Sequence, residues 1–453
     1  MSKRNSSLGV KLILALIVLA GIYIYSSSLF ERETPNITMQ TNGYWNLKSS
    51  LNIEIDDASG IKSYSVVIKT KDEQSTLHHE QLMVAKKQIQ LEVEPPRSAY
   101  GMKDKSIKVI VEANDASKWN FFKGNKIVKE FELIVDKKRP ELSIISHSYK
   151  ITKGGSALVI FKISDENLKE FYIETNFGKK FIPQPFYKDG YYISLLAWPV
   201  TEQSFKATIV AQDFASNESK SYVPLYLQDK KYRVSNIKLS DNFLKGKIAE
   251  LAEEFVETGG VSDSIAQFKL INEDVRFKNE KLIHEITSKV STEMISDFKI
   301  NEMYPLKNAQ VVATFGDHRK YSYNNEHISE SYHLGLDMAS NAHAEIRPQN
   351  GGDIVFAEYN GIYGQMPIIS HGLGLYTLYG HCSSVKVSAG DRAEVKQNIA
   401  NTGKTGYAMG DHLHFGVLVQ GIEVRPAEWM DREWMKLNIQ DVIKTAKSAI
   451  DKS

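Results

Sequence analysis

Three hydropathy textures follow one another along the chain. Residues 12–30, LILALIVLAGIYIYSSSLF, are an almost unbroken apolar run. As a helix rising 1.5 Å per residue they would span roughly 28 Å, close to the hydrocarbon core of a bilayer. The run predicts a transmembrane anchor within residues 1–30. From residue 31 to about residue 230, apolar and polar positions alternate in short stretches such as LNIEI (51–55), YSVVIKT (64–70), IQLEVE (89–94), IKVIVEA (107–113) and VKEFELIV (128–135). Short strands separated by turn residues predict β-sandwiches. A weak repeat reinforces this. ERETPNITM (31–39) resembles KKRPELSII (137–145), IDDASGIKSYSVVI (55–68) resembles ISDENLKEFYIET (163–175), and VEANDASKWN (111–120) resembles VAQDFASNES (210–219). The offset is about a hundred residues, one Ig-like domain length. Tandem Ig-like β-sandwiches are therefore expected at 31–136 and 137–232. Calcium binding by their Asp pairs is one reading; Asx-turns are the simpler one.

Near residue 240 the period changes to helical. SDNFLKGKIAELAEEFVE opens on Ser240 as an N-cap, with Phe243, Leu244, Ile248, Leu251, Ala252 and Phe255 at three- and four-residue steps. Gly259 and Gly260 interrupt it, and 263–289 repeats the pattern. This predicts a helical spacer over 233–300, with His284 among surface charges and outside any chemistry. From Tyr304 the texture is again β and rich in glycine, giving a C-terminal antiparallel β domain at 301–432. Residues 433–453 read as a short helix and polar tail. The fold class is mainly β.

Composition narrows the function. The net charge of +1 leaves no basic excess for nucleic acid. One cysteine, Cys382, excludes an internal disulfide and paired-cysteine zinc sites, so a metal would need His, Asp or Glu. Lys3, Arg4 and Lys11 flank the apolar run and place its N-terminal end in the cytoplasm. An uncleaved signal anchor is preferred over a cleaved signal peptide, because the run is long for a signal and lacks a clear small-residue cleavage site. The rest of the chain is expected outside the cytoplasmic membrane.

Eight of the twelve histidines fall between His318 and His414. In YHLGLDM (332–338) a strand would put His333, Gly335 and Asp337 on one face and two leucines on the other. HLHFGV (412–417) repeats the device with His412 and His414, and TLYGHCSS (377–384) brings His381 to a strand end. Three ligands from this set, two histidines with Asp337, would make a His2Asp zinc site with one open position, leaving two histidines for proton transfer and oxyanion stabilisation. Spacing alone does not choose among them.

Together, FGDHR (315–319), HLGLD (333–337), LYGHCSS (378–384), NTGKTG (401–406) and HLHFGV (412–417) resemble, in order, the motifs of the M23 family of zinc metallopeptidases, the lysostaphin and LytM-like fold. The resemblance covers about a quarter of the chain, from about Thr314 to Trp429. It implies that His333, Asp337 and His414 bind one Zn2+ and that His381 and His412 are the catalytic pair. It also implies cleavage of peptide bonds in peptidoglycan. The whole chain then reads as a membrane-anchored endopeptidase acting on D-Ala–meso-diaminopimelate cross-links in wall remodelling or cell shape. It would sit in the inner membrane as a single-pass protein, with its catalytic domain in the periplasm and a regulatory protein as a further partner. The alternative is a non-catalytic activator of another wall hydrolase. The sequence departs from the family pattern at Cys382, read as a core thiol, at Asp411, and around His343 and His371, read as non-ligands.

Overall fold

The structure, a computed structural model, describes residues 6–71, 73–97 and 101–452. Lys3 and Arg4, expected to hold the anchor's cytoplasmic end, lie outside them. Ser6–Ser26 form one helix. Its Leu8–Ser26 segment is long and apolar enough to cross a membrane, with Lys11 its one charge and its side chains exposed.

The chain divides into two units. The first comprises Met1–Pro140 with Asp165–Glu170 and Gln212–Glu218. Its β region is one six-stranded sheet organised by a single long strand, Leu51–Lys69. One edge of that strand pairs along its length with Gln74–Val93. The other edge pairs first with Asn36–Met39 and then with Ser106–Asp115. Ile37, Ile53, Ile55, Val66, Val109 and Val111 fill the core. The runs 51–55 and 64–70, read as separate strands of a two-sheet sandwich, are thus one strand. The acidic turn expected between them is a bulge within it. Asp57 Oδ1 accepts from the N–H groups of Ser59 (2.8 Å) and Gly60 (3.0 Å), and Gly60 takes the left-handed φ of 88°.

The second unit, the remainder of the chain, begins with β structure. Two four-stranded sheets are built around Ser156–Ser164 paired with Tyr191–Ala197, and Leu168–Thr175 beside Ala207–Asp213. The C-terminal domain follows. Its largest sheet runs Gln310–Ala313, Leu336–Ala339, Leu413–Val419, Leu375–Gly380, Gln365–Ser370, Gly352–Tyr359, Arg392–Ala393. Both central strands, Leu375–Gly380 and Leu413–Val419, are buried throughout. Such burial requires cover on both faces.

The stretch expected as a helical spacer supplies part of that cover. Its first residues, Val234–Lys238, form a strand parallel to His318–Tyr323. Ser240 caps the first helix by accepting from Phe243 N, and Asp263 caps the second through Ala266 N. Their apolar stripes, including Leu244, Ile248, Phe268, Ile271 and Ile283, pack on Met366, Ile368, Tyr376, Leu378 and Leu418 of the sheet. His284 anchors the second helix through Glu423 (2.8 Å). The C-terminal helical stretch runs to Ile450, burying Val442, Ile443, Ala446 and Ile450, so little remains of the expected polar tail.

Phe268 is fully buried and meets Tyr321 edge-to-face at 5.0 Å. Phe268→Ala is expected to destabilise this unit by about 3–5 kcal/mol in urea unfolding. His371 gives a pH signature. Its Nδ1 donates to Gly351 O, and burial pushes the imidazole down from 6.5 to about 4. Between those values the unfolded chain binds a proton that the folded chain refuses, so stability falls as pH drops from about 6.5 towards 4. The midpoint-against-pH curve of His371→Gln should be flatter than wild type over that window.

Candidate active site

Alternation along Leu413–Val419 puts His414, Gly416 and Leu418 on the same face of the sheet. The helical pair covers that face at Leu418, while His414 opens into a groove of about 570 Å³. Asp337 lies directly across the strand pairing from His414, and Leu336 and Met338 flank it opposite Phe415 and Leu413. On the other side, Gly380 pairs with His414 and presents no side chain to it.

His333 arrives differently from the expectation. Glu326–Tyr332 ends before it and Leu336–Ala339 begins after it, with a bend at Gly335, so His333 and Asp337 do not lie on one continuous strand. The turn at Gly316 fixes the imidazole instead: Gly316 N donates to His333 O (2.7 Å), and His333 N to Asp317 O (3.0 Å). A Cβ on Gly335 would stand 2.4 Å from His414 Nε2 and 3.0 Å from Phe415 O, so this close approach needs glycine.

The result is a tight triangle. His333 Nε2 and His414 Nδ1 each lie 2.9 Å from Asp337 Oδ1 and 3.2 Å from each other. Tetrahedral ligands at about 2.0–2.1 Å from an ion stand roughly 3.3 Å apart, so these three atoms fit one common metal ion. The second nitrogen of His333 donates from Nδ1 to Thr314 O (2.9 Å), which leaves Nε2 bare for a metal. Burial works to raise the Asp337 carboxyl, but the imidazole nitrogens of His333 and His414 beside it outweigh that and hold the group well below the usual carboxylate range. Burial lowers the His414 imidazole. An ionised Asp337 and a His414 ring that burial favours uncharged are the forms in which these two groups bind a metal.

His381 and His412 stand beside the triangle with ring centroids 4.8 Å apart. His381 follows Leu375–Gly380 with a left-handed φ of 65°, a conformation His tolerates better than most residues. Its Nδ1 donates to Thr405 O (2.9 Å), and that of His412 donates to Gly410 O (2.8 Å). In its neutral form each ring, with its proton on Nδ1, keeps the lone pair on Nε2. Burial first, then the neighbouring His414 and His412, pushes His381 down to about 3, so it stays uncharged. His412 Nε2 lies 3.7 Å from Asp337 Oδ1. All five residues singled out in the sequence line this one groove.

The remaining candidates stay outside. Cys382 is a buried thiol donating to Tyr379 O (3.2 Å), pushed up by burial to about 12. The His371 ring is held between Gly351 O and the Thr377 hydroxyl. His343 is exposed, and Asp411 ties its N–H and the Thr402 hydroxyl together at the groove rim. Sequence reasoning missed Arg276, Phe243 and Tyr363. The first two reach the groove from the helical pair, with Arg276 held by Asn272 and Glu280, while Tyr363 packs 5.4 Å from His414. Only tertiary packing brings them there; a charged residue on an amphipathic helix gives no sign of it. Arg319, within the FGDHR turn, sits 3.9 Å from Asp337 Oδ2.

The chain is similar to Stage II sporulation protein Q of Bacillus subtilis, 30% identical over 24% of this chain and 40% of that protein. It is similar to the Murein hydrolase activator EnvC of Escherichia coli, 30% identical over 22% of this chain and 23% of that protein. It is also similar to the Peptidoglycan DD-endopeptidase ShyB of Vibrio cholerae, 30% identical over 28% of this chain and 29% of that protein. The chain spans less than half the length of each. Residues 331–426, which hold the whole triangle and both adjacent histidines, match the family model described as Peptidase family M23.

Proposed function

We propose that this chain is a zinc-dependent endopeptidase that hydrolyses peptide cross-links of peptidoglycan. The observation that carries the reading is the completeness of the site: three converging ligand atoms and two further imidazoles with Nε2 free, all facing one groove. His333, Asp337 and His414 would hold one Zn2+. The ion supplies Lewis acidity at the scissile carbonyl and makes water nucleophilic near neutral pH.

The chain's own residues do the rest. His381, kept neutral by burial, accepts the attacking water's proton at Nε2. His412, across from it, donates from Nε2 to the developing oxyanion once it carries a proton. Thr405 O and Gly410 O hold both rings by their Nδ1–H groups, so neither must reorient during the reaction. Asp337 anchors the ligand side without moving a proton.

The similarity to a protein described as a peptidoglycan DD-endopeptidase supports D-Ala–meso-diaminopimelate cross-links as the bond class. The apolar helix Leu8–Ser26 supports a single-pass anchor in the inner membrane with the catalytic domain in the periplasm. A second reading, a non-catalytic activator of another hydrolase, draws on the similarity to EnvC. The intact ligand triangle favours catalysis over it.

The test is digestion of defined sacculi by the purified full chain, with mass spectrometry of the muropeptides and metal analysis of the protein. Cross-linked dimers should fall as matching monomers appear, with one zinc per chain. His381→Ala should keep its zinc and lose about 10²- to 10⁴-fold in rate. A wild-type protein that carries zinc, leaves dimers intact and stimulates a second hydrolase would establish the activator reading instead. Gly335→Ala should fold, as read by circular dichroism, yet lose zinc, because the added methyl collides with the His414 ring.

A further inference from the structure

The first unit contains a second cluster of metal-ligating groups, with no link to the peptidase site. Ligand oxygens of Glu31, Asp57 and Asp115 lie within 4.8 Å of one another. Asp57 is 8% exposed and Asp115 1%. Asp115 is well bonded: Oδ1 accepts from Ser117 N and Asn125 N, and Oδ2 from Asn125 Nδ2. The other two acids are not. Every hydrogen bond to Asp57 goes to Oδ1, from Ser59 and Gly60, so Oδ2 has none among the described residues. Glu31 Oε2 is completely buried and likewise without a partner.

Among the described residues no ion pair joins a cation to the three acids; on this sheet Lys108 pairs with Glu130 and Lys126 with Glu112. The adjacent Arg32 turns its guanidinium onto the rings of Trp119 (4.4 Å) and Tyr25 (4.8 Å) instead. Three converging carboxylates, one of them with a buried oxygen that has no partner, are costly unless something positive joins them.

The sequence repeat supplies an internal control. In the second copy Asp136, Asp165 and Asp213 take the places of Glu31, Asp57 and Asp115, and Asn217 Nδ2 donates to Asp136 O as Asn125 Nδ2 donates to Glu31 O. The copies differ at the linker acid, Glu31 against Asp136, and at one neighbour of the cluster. Asn167, standing where the first copy has Ser59, donates its amide to Asp136 Oδ2 (3.1 Å). The linker acid of the second copy thus has an amide donor of its own, where Glu31 has beside it only the Ser59 hydroxyl, which bonds to Asp57 Oδ1 (2.7 Å).

We infer that Glu31, Asp57 and Asp115 form a Ca2+ site. All-oxygen, carboxylate-rich ligation selects a hard divalent cation, and a site assembled from a linker, a strand bulge and a strand end offers the irregular geometry that Ca2+ accepts and Mg2+ resists. The site fastens the segment that leaves the apolar helix onto the first β unit. That segment is already tied there by Lys118 N to Leu29 O (2.7 Å) and Ser117 Oγ to Glu31 O (2.6 Å).

The experiment is calorimetric titration of Ca2+ into the zinc-loaded full chain, with melting temperatures measured with Ca2+ and with Mg2+. One Ca2+ per chain should bind and raise the melting temperature. Asp57→Asn keeps the Oδ1 acceptor for Ser59 and Gly60 but removes the charge. It should weaken binding roughly tenfold or more, and its melting temperature without Ca2+ should equal or exceed that of wild type, since a repulsion is gone; a misfolded variant would melt lower. Glu31→Gln serves as a second variant with the same expectation. Asp165→Asn should leave binding unchanged. No saturable binding up to about 10 mM Ca2+, equal stabilisation by Mg2+, binding untouched by both Asp57→Asn and Glu31→Gln, or loss of binding in Asp165→Asn would each overturn the inference.

Discussion

Asp337 Oδ1 meets two imidazole nitrogens at 2.9 Å in a nearly buried position, and the geometry of the C-terminal domain follows from holding that contact. A carboxylate at this depth is costly unless its charge is answered. The answer comes from opposite directions: His414 across a strand pair, and His333 from a loop fastened to the turn at Gly316. Two glycines make the approach possible, Gly335 against the ring of His414 and Gly380 opposite it. Backbone carbonyls of Thr314, Thr405 and Gly410 then fix three of the four rings through their second nitrogen. Such a site is set before substrate arrives, the condition under which fixed donors and acceptors contribute most to a transition state.

The five candidate residues could be picked out of the sequence because strand alternation and motif order are local features, and the structure brings all five to one groove. Same-face placement of His412 and His414 needs only alternation, and the structure has it. The reasoning for His333 and Asp337 reached the right neighbours by a wrong path: it assumed one strand, whereas the chain bends at Gly335. Pairing partners impose that bend, Phe415 opposite Leu336 and Asp317 beside His333, and neither is local in sequence. The same limit hid the long strand Leu51–Lys69. Its acidic, glycine-containing interruption reads as a turn, yet Asp57 satisfies the loosened N–H groups and lets the strand continue. The helical stretch was correctly seen as helical; its role as a groove wall was invisible, because an amphipathic stripe announces that it will pack without saying against what.

That wall changes how the groove should be understood. His414 and Leu418 lie four residues apart on one face of one strand, so the cover over the hydrophobic end and the opening at the polar end are parts of the same arrangement. Phe268 and Ile271 cannot leave the sheet without exposing Leu378 and Leu418, which makes the helices structural members of the domain rather than a detachable spacer. Arg276, brought to the groove by that packing and braced by Asn272 and Glu280, places a fixed positive charge on the wall. It lies outside residues 331–426, the stretch that carries the ligands and both free imidazoles. The chemistry of the site and the shape of the cleft around it therefore come from different parts of the chain. Features that distinguish this groove from those of its relatives should be sought on the helical wall, where the residues can vary without disturbing the triangle.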